Sequence, residues 1–125
     1  MNRHGQYAFY GSLMMGMENN LPYEKHLKFL GKVRLAGFKM FSLGQYPYAV
    51  RSNDQNREIV AELYKVTDRK TEQLIYEMEL DEGYIFSEVE IADNKFGIYL
   101  FDSPVIKSAE ITDGDWRSYR KQERV

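Results

Sequence analysis

Short runs of alternating apolar and polar residues predict that this chain is built mainly from β-strands. An aromatic-rich strand over 7–10 comes first and is followed directly by Gly11. The segment 32–43 alternates charged and apolar positions, which is the period of a half-buried strand, and Gly37 interrupts it as a bulge or a bend would. Further strands are predicted at 48–50, 58–66, 84–92 and 96–101.

Three stretches between these strands predict helices. Pro22 suits the first position of a helix over 23–30, which Gly31 would end. A short capped helix is expected at 113–119. Short strands with two or three helices between them predict an α+β fold with a small, curved or closed sheet.

The longest predicted helix lies in the middle of the chain. Thr67 or Asp68 would cap it, and it would reach about Leu80. One face carries the apolar side chains Leu74, Ile75 and Met78.

Composition narrows the class of protein. The chain has 125 residues, no cysteine, 17 basic and 19 acidic residues and a net charge of −2. This length suits one domain over 1–125, and the acidic balance argues against nucleic acid as a partner. Residues 1–6 do not read as a signal peptide, and no apolar run approaches a membrane span of about 20 residues. We therefore expect a soluble, cytoplasmic monomer or weak homodimer, in which the basic segment 117–124 is a solvated tail or a last helical turn.

The residue types needed for several kinds of catalysis are missing from the sequence. There is no cysteine and no Gly-x-Ser-x-Gly pattern, and His4 and His26 are both expected at the surface. Metal-binding His or Cys spacings and nucleotide-binding glycine patterns are absent as well. We expect no metal and no cofactor, so acid–base chemistry would fall to a carboxylate.

Glu79 is the first candidate for that carboxylate. It follows Ile75 by four residues and borders the apolar face near the carboxyl end of the predicted central helix, where burial and the helix dipole both raise a carboxyl pKa. Glu82 is the second choice, and Glu77 would point away from the apolar face. The alternative is an ordinary acidic helix end exposed to water.

The turn after the first strand is the candidate for binding. Consecutive N–H groups at a strand end can form a small concavity for an anion or a carbonyl, and a glycine lets a ligand approach the backbone closely. Most turns with this aromatic-Gly-Ser composition have no such role, and a plain turn remains the alternative.

Taken together, three segments resemble the gamma-glutamylcyclotransferase-like family, including its γ-glutamylamine cyclotransferase branch. They are Phe9-Tyr10-Gly11-Ser12-Leu13, Gly44-Gln45-Tyr46-Pro47 and Ile75-Tyr76-Glu77-Met78-Glu79. The resemblance covers about residues 7 to 101 and implies a small mixed β-barrel, flanked by two or three helices, with a cavity at one end.

The resemblance also implies roles for individual residues. Glu79 matches the family's general acid/base, and the loop Tyr10, Gly11, Ser12 and Leu13 matches the segment that holds the substrate. Tyr46, Pro47 and Tyr84 are further candidate substrate contacts. The implied reaction is cyclisation of a γ-glutamyl amine or γ-glutamyl amino acid to 5-oxoproline with release of the amine. The alternative is a non-catalytic barrel of the same fold that binds a small metabolite or a partner protein.

Overall fold

The computed structural model describes Asn2 and residues 4–123, and the strands in this part of the chain form two sheets. The strands are β1 (Gln6–Phe9), β2 (Leu27–Ala36), β3 (Phe38–Ser42), β4 (Pro47–Arg51), β5 (Glu58–Val66), β6 (Ile85–Ile91), β7 (Asn94–Leu100) and β8 (Ala109–Ile111). The helices are a 3-10 helix (Leu21–His26), α1 (Arg69–Asp81) and α2 (Trp116–Glu123). The predicted α+β class is confirmed.

The larger sheet is mixed and has the order β2-β5-β1-β7-β6. Its central strand is β1, which runs antiparallel to β5 and parallel to β7. Both faces of β1 are buried: Tyr7 and Phe9 pack in one apolar cluster, Ala8 and the following Tyr10 in another. A strand buried on both sides needs apolar residues at consecutive positions, which explains the uninterrupted aromatic run at 7–10.

Gly37 marks the corner where the chain leaves the larger sheet. Its φ of +86° is costly for any residue with a Cβ, and its N–H donates to the Arg57 carbonyl at 2.9 Å. On one side of this corner β2 pairs with β5, and on the other β3 pairs with β4 and β8 in the smaller sheet. The bend predicted at Gly37 is therefore present. It leads into a second sheet instead of closing the first, so the predicted barrel is open.

The helix predicted over 23–30 is wrong in its second half. Helical structure ends at His26, and Leu27 already pairs with Val66 of β5. Gly31 does not end a helix but lies inside β2, at an irregularity in the strand register. Pairing with a distant strand has overridden the local helix signal of Pro22.

Helix α1 follows its prediction closely. Asp68 caps it by accepting a hydrogen bond from the Thr71 N–H at 3.0 Å. Ile75 is buried and Met78 half-buried, as expected, but Leu74 is 43% exposed and does not share the buried face. The helix packs against the larger sheet with its carboxyl end beside the loop that follows β1.

The basic segment at 117–124 contributes to the folded structure and is not simply a solvated tail. Arg117 pairs with the buried Glu62 at 2.9 Å, and Arg120 lies over the Trp116 ring. Arg124 is outside the described residues. Among the helices that the structure describes, none has the length and apolarity to span a membrane.

Candidate active site

A cavity of about 110 Å³ opens between the end of β1 and the end of α1. The structure brings every sequence-predicted site residue to its wall: Tyr10, Gly11, Ser12, Leu13, Tyr46, Pro47, Glu79, Glu82 and Tyr84. These residues come from three separate segments of the chain, 10–13, 46–47 and 79–84. Their meeting at one cavity supports the three-motif interpretation, although each motif alone is short.

The loop after β1 is folded so that its carbonyl groups are already occupied. The carbonyls of Gly11 and Met14 accept from the N–H groups of Met14 and Met17, each at 3.0 Å. Asn19 N–H donates to the Ser12 carbonyl at 3.0 Å, and the Asn20 side chain donates to the Leu13 carbonyl at 2.8 Å. Each of these four carbonyls is therefore bound within the segment 11–20.

The N–H groups of the same loop are in the opposite situation. Within Asn2 and residues 4–123, the backbone N–H groups of Gly11, Ser12 and Leu13 have no hydrogen-bond acceptor. All three residues line the cavity. Buried N–H groups normally find a partner, so this stretch is suited to bind an oxygen atom of a ligand.

Gly11 is needed for a reason that differs from the sequence argument. It does not have the positive φ that favours glycine. A Cβ there would lie 2.7 Å from Cγ of Pro47, closer than two carbon atoms can approach. The absent side chain thus lets the Pro47 turn pack directly against the loop.

Two tyrosine hydroxyl groups connect the walls of the cavity. Tyr10 donates to the Tyr99 carbonyl at 2.5 Å and accepts from the Ala49 N–H at 3.1 Å. Tyr84 donates to the Pro47 carbonyl at 2.5 Å. Both side chains are buried and both hydroxyl groups already have protein partners, so these residues mainly shape the cavity.

Glu79 lies in the last turn of α1 and faces the loop across the cavity. Burial is the main cause that raises the pKa of its carboxyl to about 8, and the negative charge of Glu82 raises this pKa further. No protein donor in the described part of the chain forms a hydrogen bond with the Glu79 carboxyl group. Glu82, at the helix cap, is exposed and borders the same cavity.

Sequence reasoning missed five residues of the wall: Ala8, Phe9, Asn19, Met78 and Tyr99. Asn19 also donates to the Ser12 hydroxyl oxygen at 2.7 Å. The Tyr99 hydroxyl is buried and has no hydrogen-bond partner among the described residues. Met78 could have been found, since it precedes Glu79 on the apolar face, whereas Tyr99 reaches the cavity only through the pairing of β7 with β1.

The two histidines lie away from the cavity. His4 and His26 are both exposed, and neither is part of the wall. In the ranges that the structure describes, no three His, Cys, Asp or Glu side chains are grouped so as to hold a metal ion.

Comparison with known proteins places this chain in a family. The family model for gamma-glutamyl cyclotransferase, AIG2-like, matches residues 7–118. A Methanocaldococcus jannaschii protein, MJ1514, which carries the provisional name gamma-glutamylcyclotransferase, is 31% identical over 120 residues. That match covers 92% of this chain and 98% of the relative.

Solved structures show the same fold. The uncharacterized protein PH0828 from Pyrococcus horikoshii superimposes with a TM-score of 0.79 at 28% identity, covering 95% of each chain. The ytfP protein of Escherichia coli has a TM-score of 0.73 at 23% identity, covering 92% of this chain and 98% of its own. The chain belongs to the gamma-glutamyl cyclotransferase, AIG2-like family.

Proposed function

We propose that this protein cyclises a γ-glutamyl amine or γ-glutamyl amino acid to 5-oxoproline and releases the free amine. The α-amino nitrogen of the glutamyl group attacks its own γ-carbonyl carbon, and the bond from that carbon to the leaving nitrogen breaks. The α-ammonium nitrogen loses two protons on becoming the lactam N–H, and the leaving nitrogen gains two on departing as an ammonium group. Water, an oxidant and a second substrate are not needed, because nucleophile and electrophile belong to one molecule.

The observation that carries the proposal is that Glu79 and the loop residues 11–13, whose N–H groups have no acceptor among the described residues, line the same cavity. A general acid/base works best when its pKa lies near the operating pH, and the pKa of Glu79 is raised to about 8. Glu79 would accept each proton lost by the attacking nitrogen and pass it to the leaving nitrogen. A carboxyl group without a protein donor is free to make both transfers.

The loop amides would act on the oxygen of the γ-carbonyl. That oxygen gains negative charge in the tetrahedral intermediate, and the N–H groups of Gly11, Ser12 and Leu13 have no competing acceptor among the described residues. Because the loop carbonyls are bound elsewhere, the donors are organised before substrate arrives.

The alternative of a non-catalytic binding barrel receives less support. One sign of it would be a cavity filled by the methionines of the loop. Met14 is buried in the core, Met15 is 54% exposed and Met17 packs against the core, and none of them lines the cavity. The space beside Glu79 is therefore left for a ligand. A chain without cysteine suits a reducing compartment, so we propose that the reaction occurs in the cytoplasm.

The test is release of 5-oxoproline from a panel of γ-glutamyl amino acids and γ-glutamyl amines. Glu79→Gln removes the acid/base function but keeps the shape, and it should lower kcat by about 10³-fold or more. The matched control is Glu77→Gln, since Glu77 is an exposed residue of the same helix. Circular dichroism should show that both variants are folded. Equal turnover by the wild type and Glu79→Gln, or no turnover of any substrate by the wild type, would contradict the proposal.

A further inference from the structure

Next to the cavity, but not in its wall, lies a closed cluster formed by Glu62, Arg117 and Met15. One carboxylate oxygen of Glu62 accepts from the Met15 N–H at 2.7 Å and from the Tyr64 hydroxyl at 2.8 Å. Its other oxygen pairs with Nη1 of Arg117 at 2.9 Å. Nη2 of the same guanidinium group donates to the Met15 carbonyl at 2.6 Å. Both the N–H and the carbonyl of Met15 are thus held by side chains of distant elements.

This cluster costs free energy to build. Glu62 is only 4% exposed and the Arg117 side chain is 29% exposed, and taking a carboxylate and most of its partner's side chain out of water is expensive. An apolar pair of similar volume often serves stability as well or better. What an apolar pair cannot supply is the set of directed hydrogen bonds that fixes the orientation of a peptide group.

The orientation of this part of the loop matters for the cavity. The carbonyls of residues 11–14 are bound within the loop itself, whereas the carbonyl of Met15 is bound by Arg117 of α2. Glu62 lies on β5, directly opposite Phe9 of β1. The cluster therefore connects Met15 of the loop to β5 and to α2. Met15 lies two residues after Leu13, the last of the three residues whose N–H groups are open at the cavity.

We infer that Glu62 and Arg117 are positioning residues for the reaction proposed above, on which this inference rests. By holding Met15, they keep the N–H groups of residues 11–13 directed at the substrate oxygen. Neither residue lines the cavity, so they act through the loop backbone. Their loss should lower kcat more than it raises KM, because the donors bind most strongly to the oxygen as it becomes negative.

The variants that test this are Arg117→Lys and Glu62→Gln. Lysine keeps the charge but lacks the planar fork that reaches Glu62 and the Met15 carbonyl together, and glutamine keeps the shape but loses the charge. In each variant kcat should fall about tenfold or more while KM changes less than about threefold, since loss of one oxyanion donor costs about 10²–10³.

The chain provides a matched control pair. Arg34 and Glu58 form an ion pair at 3.4 Å, with Glu58 on the same strand as Glu62, but both side chains are exposed. Arg34→Lys and Glu58→Gln are the same substitutions and should leave kcat within about twofold of the wild type. All assays are run well below the melting temperature of each variant, so that a simple loss of stability does not lower kcat.

Amide hydrogen exchange across residues 11–17 gives a readout that does not depend on turnover. Exchange in this segment should become at least about tenfold faster in Arg117→Lys and stay unchanged in Arg34→Lys. An active wild type with unchanged kcat in Arg117→Lys and Glu62→Gln would overturn the positioning role and leave the proposed function intact. A wild type inactive on every substrate would overturn the proposed function. If amide exchange across residues 11–17 is also unchanged in Arg117→Lys, the cluster of Glu62, Arg117 and Met15 does not hold the loop backbone.

Discussion

Glu62 and Glu79 are two carboxylates beside the same loop, and their surroundings are opposite. Glu62 is bound by a backbone N–H, a tyrosine hydroxyl and a guanidinium group. Glu79 has no protein donor among the described residues, and burial together with the charge of Glu82 raises its pKa to about 8. The fold gives the Glu62 carboxylate three hydrogen-bond donors and gives the Glu79 carboxyl group none within Asn2 and residues 4–123.

This difference separates a group that holds structure from a group that can exchange a proton. A carboxylate with three donors is fixed in its position. A buried carboxyl group beside a second negative charge can gain or lose its proton near neutral pH, because both raise its pKa toward that range. Each of the variants below changes only one of these two carboxyl groups or its surroundings.

The largest expected effect comes from removing the partner of Glu62. Arg117→Met leaves the carboxylate buried without its counter-charge and should lower the free energy of unfolding by about 3 kcal/mol. The measurement is urea denaturation at pH 7. Arg34→Met, which breaks the exposed ion pair, should cost less than about 1 kcal/mol. A loss below about 1 kcal/mol in Arg117→Met would mean that Glu62 is not held by this pair.

The second effect concerns how the free energy of unfolding depends on pH, and it comes from Glu79. Between its ordinary value of 4.5 and the raised pKa of about 8, Glu79 holds its proton in the folded protein and loses it in the unfolded chain. The folded state therefore becomes less stable as pH rises, by at most about 1.4 kcal/mol per pH unit. Glu79→Gln removes this penalty.

The variant should consequently gain stability relative to the wild type as pH rises. We expect a gain of about 2 kcal/mol between pH 5 and pH 6.5, from urea denaturation at several pH values. The difference should vanish below the ordinary pKa of a glutamate. A difference that stays constant with pH would show that the carboxyl of Glu79 is not shifted.

The smallest effect concerns Glu82. Its charge raises the pKa of Glu79, so Glu82→Gln should lower that pKa by less than one unit. The acidic limb of the kcat/KM profile should then move to lower pH, because the base becomes ionised earlier. Glu77→Gln should leave the limb where it is. Movement to higher pH would contradict the proposed base.

The parts of the structure that depend on local signals could be predicted from the sequence. Asp68 caps α1, Gly37 marks a corner, and the loop with Gly11 and the acid Glu79 stand out by their neighbours in the chain. The Pro22 helix failed because Leu27 pairs with Val66, far along the chain. Strand β8 has only three residues, too few for any periodicity.

The cluster of Glu62, Arg117 and Met15 is the clearest case of a feature that local sequence patterns do not reveal. Arg117 belongs to a basic segment that resembles a solvated tail, and Glu62 is one of three charged residues in β5, with Glu58 and Lys65. Only the tertiary structure brings them to Met15. Likewise, the need for a glycine at 11 comes from Pro47, which packs against it from another strand.

The central place of β1 has a consequence for the folding kinetics. Although it is the first strand in the chain, Tyr7 pairs with Tyr64 on one side and with Gly97 on the other. Both neighbours of β1 lie far along the chain, so long loops must close before the larger sheet is complete, which slows folding. The candidate active site begins where β1 ends, so during refolding the ability to bind substrate should return with the whole sheet and in the same kinetic phase.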